Sequence, residues 1–159
     1  MSAPVLPQDP SETSAESPAG DYRLDRQIGF LLRRAHQYAS EVFQAKVGAR
    51  SVTPQQFSVL VTLFEQRETA QTRLGELTAM DPATVLGVVQ RLAQRGLVAV
   101  RTDPADGRRR RVQLTHDGHE EARALVAIGP AISRETLEGL SEAEQSELLR
   151  LLDKLGQKG

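Results

Sequence analysis

The chain has 159 residues, 39% hydrophobic and 26% charged, with a formal net charge of −1, a size suited to one domain plus an appendage. It contains no cysteine, which excludes disulfide staples, Cys-ligated zinc, iron–sulfur clusters and thiol redox sensing. No apolar run approaches the roughly 18 residues of a membrane span, and the N-terminus lacks a basic-then-apolar signal pattern, so a soluble, cytoplasmic protein without a membrane partner is expected.

Residues 1–20 hold four of the eight prolines, several serines, three acids and no base. Such a segment buries too little to offset its ordering and predicts a disordered tail ahead of a single domain over 21–159. From Tyr22, apolar residues recur at three- and four-residue steps (Leu24, Ile28, Leu31, Leu32, Ala35, Ala39, Val42, Phe43), which is one stripe along a helix that fades near Gly48.

Thr53-Pro54-Gln55-Gln56 then reads as a capping box with proline at the first helical position. It opens a helix carrying Phe57, Leu60, Val61 and Phe64. Gln71 or Thr72 opens a short helix with Leu74, Leu77 and Met80. Asp81-Pro82 is a second cap-and-proline pair, and the helix behind it runs to about Arg95 with Val85, Val88, Val89 and Leu92 facing inward, ended by Gly96. The period then changes to two β-branched runs, Leu97–Arg101 and Arg110–Leu114, around the turn formers Asp103-Pro104-Ala105-Asp106-Gly107, a hairpin with a long tip. Thr115 caps a further helix carrying Ala122, Leu125, Val126 and Ile128, in which Gly129-Pro130 should introduce a kink. Ser141-Glu142-Ala143-Glu144 is another capping box, before a helix with Leu148, Leu149, Leu151, Leu152 and Leu155.

Helix, short helix, turn, capped helix, hairpin is the order of a winged helix-turn-helix, here over about 53–115 in a mostly α (α+β) chain. Its charge is not evenly spread. Residues 71–111 hold eight arginines, no lysine and four acids, a local balance of +4 in a chain whose remainder is −5. The arginine fork matches phosphate oxygens and guanine edges in two places at once. A helix from Pro82 to Arg95 presents Thr84, Gly87, Gln90 and Arg91 opposite its apolar side, where a major groove is read. Arg108, Arg109 and Arg110 at the hairpin tip suit the negative potential of the adjacent minor groove. Backbone N–H groups near Gln71 and Thr72 suit a phosphate. The candidate contacts to double-stranded DNA are Gln71, Thr72, Arg73, Ala83, Thr84, Gly87, Gln90, Arg91, Arg95, Arg108, Arg109 and Arg110. The flanking helices, about 22–48 and 116–156, are more apolar than such a core requires, and predict a two-fold homodimer on a palindromic operator.

Several blocks together resemble the MarR (multiple antibiotic resistance regulator) family: Thr53–Leu60, Leu74–Thr78, Arg91–Val98, Asp103–Arg108 and Val112–Gly118. The resemblance covers about residues 22–156. It implies a triangular homodimer held by the first, fifth and sixth helices, and a repressor whose operator affinity falls when a small aromatic or phenolic ligand enters the cleft between the two regions. It also implies that Arg108 enters the minor groove while Asp106 orients it, and that Thr84, Gln90 and Arg91 lie on the recognition helix. Leu86-Gly87 stands where many members carry Ser-Arg, so the operator sequence should differ; Leu86 either meets a thymine methyl or packs inward.

The block Ile28–Gln37 is similar to a subgroup tied to aromatic-acid breakdown, which implies an aromatic carboxylate or its CoA thioester as effector. A carboxylate wants a cation beside apolar walls, and Arg34 and His36 with Phe30, Tyr38 and Phe57 are the candidates; a solvated face or a dimer contact would account for the charged ones equally. Catalysis finds no nucleophile–base constellation, no Gly-rich phosphate loop and hence no cofactor site. His116 and His119 have metal-ligand spacing but no clear third ligand. The remaining alternative is a winged-helix protein-interaction module without DNA binding.

Overall fold

A computed structural model of the chain describes residues 22–157; the proposed tail at 1–20 lies outside them. The chain divides into two units, Met1–Arg34 and Ala35–Gly159, and the division falls inside the first long helix.

In the first unit the helical pattern does not start at Tyr22. A 3-10 turn, Leu24–Arg26, closes through the Gln27 N–H donating to the Leu24 carbonyl at 3.0 Å. Gln27 is extended, and α1 (Ile28–Val47) begins after it. The stripe on this half of α1 is uncovered in the single chain, with Ile28 64% exposed.

In the second unit the caps read from sequence are in place. The Thr53 hydroxyl accepts from the Gln56 N–H, and the Gln56 side chain accepts from the Thr53 N–H, opening α2 (Pro54–Gln66). Asp81 accepts from the N–H groups of Ala83 and Thr84, both at 3.0 Å, opening α4 (Pro82–Gln94). Gly96, at φ +72°, ends α4 with the Leu97 N–H donating back to the Leu92 carbonyl, the left-handed closure glycine adopts without penalty. Between these helices, α3 (Gln71–Leu77) is shorter than its apolar pattern suggested. Ala79 adopts φ +52° and the Met80 N–H returns to the Gly75 carbonyl, so Met80 lies past the helix end.

The hairpin forms β2 (Val98–Thr102) and β3 (Arg110–Leu114). A third strand not anticipated from sequence, β1 (Glu68–Ala70), pairs antiparallel with the other side of β3, giving the order β1-β3-β2. Thr115 then caps α5 (His116–Thr136) by accepting from the Gly118 N–H, while its own hydroxyl donates to the Gly96 carbonyl at 2.6 Å. α5 does not break at Gly129-Pro130. Pro130 and Val126 both lie on the exposed side, where a carbonyl left without its donor is open to water. The Ser141–Glu144 capping box opens α6 (Glu142–Gly156).

Leu60, Leu63, Leu74, Val88, Leu92, Val112 and Leu125 form one buried cluster that joins α2, α3, α4, β3 and α5. It is a complete core for the winged region. No residue of α6 is buried, and Leu148, Leu149, Leu151, Leu152 and Leu155 are all exposed.

Candidate nucleic-acid interface

The period of α4 sorts its residues. Val85, Val88, Val89 and Leu92 are buried, while Ala83, Thr84, Leu86, Gln90 and Arg91 are exposed and Gly87 is half-buried. Of the two positions open for Leu86, the structure selects the outward one. The Thr84 hydroxyl donates to Asp81, and with the Thr84 and Ala83 N–H groups it holds the Asp81 carboxyl below the usual range. The Arg91 guanidinium lies back across Gly87: a Cβ built at that glycine would sit 3.3 Å from Arg91 Nη1.

The tip of the wing is ordered by its own acids. Asp103 accepts from the Ala105 N–H at 2.9 Å, and Asp106 from the Arg108 N–H at 3.0 Å. Asp106 thus orients Arg108 through the main chain, and its ion pair goes to Arg109, at 3.2 Å. Arg110 donates to the Thr102 hydroxyl across the hairpin. A cleft of about 150 Å³ is lined by Ala70, Gln71, Thr72, Arg108, Arg109 and Arg110, so the start of α3 and the wing tip, far apart in sequence, face one space.

Not every arginine of the segment lines this cleft. Arg95 donates to the carbonyls of Arg50 and Ser51 and to the Gln56 side chain, at 3.1–3.3 Å, and so braces the segment before α2. Arg73 pairs with Glu76 at 2.7 Å. Arg101 and Arg111 both donate to Glu68. Sequence reasoning missed Glu68 because β1 carries no alternation of apolar residues to reveal it.

A second cleft, about 300 Å³, lies between α1, α2 and α5, with Phe43, Phe57, Val61, Glu65, Ile132 and Ser133 on its walls. Phe43 and Phe57 meet edge to face, ring centres 5.5 Å apart. Of the five effector candidates, Phe57 lines this cleft. The Tyr38 hydroxyl donates to the Glu135 carbonyl, and the His36 side chain is exposed. In the first unit, the Arg34 guanidinium lies 5.9 Å from the centre of the Phe30 ring. The cleft's lining has one acid, Glu65, and no cation. His116 is exposed near Glu120, and His119 lies edge-on to Phe64.

Among the described residues no helix is long and apolar enough to cross a membrane. The MarR family model matches residues 52–109, from the start of α2 to the wing. The HTH-type transcriptional repressor NicR of Pseudomonas putida is 34% identical over 134 residues, covering 84% of this chain and 85% of that protein. A probable transcriptional regulator from Pseudomonas aeruginosa superposes with a TM-score of 0.77 at 45% identity, covering 84% of this chain and 99% of its own. Bordetella bronchiseptica BpsR, whose DNA binding is regulated by 6-hydroxynicotinic acid, superposes with a TM-score of 0.83 at 38% identity, covering 88% of this chain and all of its own. On its winged helix-turn-helix and these relatives, the chain belongs to the MarR family of DNA-binding transcriptional regulators.

Proposed function

We propose that this regulator acts as a homodimeric repressor on a palindromic operator and is released by a small aromatic acid. The observation that carries the reading is the shared cleft of Gln71, Thr72 and the wing arginines, with a recognition helix that exposes Thr84, Gln90 and Arg91. Gln90 and Arg91 read base edges in the major groove, and Arg108 enters the minor groove while Asp106 fixes its backbone. Gln71, Thr72 and Arg73 meet phosphate from the start of α3, and Ala83 and Thr84 from the start of α4.

Dimerisation explains the uncovered apolar residues of α6 and, separately, those on the first half of α1. Two copies related by a two-fold axis present two recognition helices about one helical turn apart. The effector class is suggested by the likeness to BpsR and NicR. In the cleft beside Phe57 the ring is the part the walls can recognise, by edge-to-face packing, and a volume of about 300 Å³ suits one aromatic ring. A CoA thioester would place its acyl ring there and leave the nucleotide outside.

Fluorescence anisotropy on fragments flanking the gene tests the DNA reading. Binding should weaken steeply with salt as phosphate contacts release counterions. A flat salt response would favour an interaction module that keeps the fold without the nucleic acid. Adding 6-hydroxynicotinic acid should lower operator affinity, and Phe57→Ala should blunt that response while leaving affinity without ligand unchanged.

A further inference from the structure

The arginines of the central segment are not one population. Strand alternation places Glu68 and Ala70 of β1, Arg111 and Gln113 of β3, and Arg101 of β2 on one face of the sheet, with Thr69 and Val112 buried on the other. On the open face Glu68 accepts twice from Arg101, at 2.8 and 2.6 Å, and once from Arg111, at 2.9 Å. Arg111 also donates to Asp103 at 3.2 Å. Two carboxylates thus neutralise two guanidinium groups. Arg111 is the register partner of Ala70, which lines the wing cleft beside Arg108–Arg110. The neutralised pair therefore adjoins Arg108 and Arg110, which pair with no carboxylate among the described residues, and Arg109, which pairs with Asp106.

We infer that Glu68 is a specificity-determining residue: it withholds Arg101 and Arg111 from phosphate, so that the wing contacts DNA through its tip alone. The inference rests on the DNA-binding reading above. A phosphate contact carries no sequence information. A complex on random DNA can shift until every free cation meets a phosphate, whereas a complex on the operator is fixed by its base contacts. Each additional free arginine thus favours random sequence more than operator. A carboxylate inside a cationic wing, which on charge alone opposes DNA binding, narrows the non-specific background in this way.

The test measures affinity against salt for the full-length chain on an operator and on random-sequence duplexes. Glu68→Gln should raise affinity for random DNA, steepen its log–log salt slope by about one, since one carboxylate charge is lost while Asp103 still pairs Arg111, and reduce the operator-to-random ratio. Arg101→Gln alone should leave the random-DNA slope unchanged, because that charge is already neutralised; Arg108→Gln should make it shallower. An unchanged or shallower slope for Glu68→Gln, with weaker operator binding, would mean that Glu68 only holds the wing in place, and overturns the inference. So does a shallower slope for Arg101→Gln, an arm that decides the question even if the Glu68 variant folds poorly. A wild-type chain that binds no duplex would instead sink the DNA-binding reading itself.

Discussion

At the scale of single residues, the outward face of α4 depends on a missing side chain. Arg91 lies over Gly87 because nothing occupies that space. Gly87→Ala adds a methyl 3.3 Å from the guanidinium and improves helix propensity by about 1 kcal/mol. The expected outcome is a higher melting temperature together with an altered base preference at one half-site position, read by selection from a randomised operator library. Stabilisation with preference intact would show that the pose of Arg91 does not set sequence choice. Arg108→Ala should weaken binding on the order of tenfold across operators and remove A·T preference beneath the wing. Asp81 makes a pH prediction. Its carboxyl titrates below the usual range when folded, so its cap contributes fully above the ordinary aspartate value and is lost as pH falls through the lowered one. Asp81→Ala should therefore flatten the acid limb of the stability curve, measured by thermal melts across that window.

At the scale of elements, the close approach of α5 to Leu97, the residue before β2, is the tightest among the described glycines. A Cβ at Gly118 would lie 1.9 Å from the Leu97 carbonyl oxygen, so Gly118→Ala must force the helix off the strand, at a cost of about 1–3 kcal/mol or more. Chemical denaturation should show a lowered midpoint, with residual protein binding DNA more weakly. The elements with written punctuation were legible in sequence: Thr53-Pro54, Asp81-Pro82, Gly96 and Ser141 each sit where a terminus forms. What was not legible lacked a local signal. β1 is three residues of mixed polarity whose strand pairing is with β3. Pro130 marks a break by local rules, yet α5 continues because that position is open to water. The site divides in the same way. Gln90 and Arg91 follow from helical period, but Arg95, Arg101 and Arg111 are claimed by oxygens on other elements, and no spacing along the chain discloses such partners.

At the scale of the whole molecule, the winged region closes its own core while α6 leaves five leucines in solvent. A monomer would carry that surface as an aggregation liability, which the proposed dimer would cover. Leu152→Asp should shift the protein to monomer in sedimentation velocity and reduce operator affinity by the loss of the second half-site, with the far-ultraviolet spectrum of the winged region retained. A dimer that persists would move the interface elsewhere.

The seam at Gly118 has one more consequence. The helix that starts there passes the cleft beside Phe57 at Gly129, eleven residues and about 16 Å further along. A joint with no clearance cannot slide, so a ligand seated in that cleft, as proposed, would have to turn the rod about the joint rather than shift it along, as a tiller turns on its post.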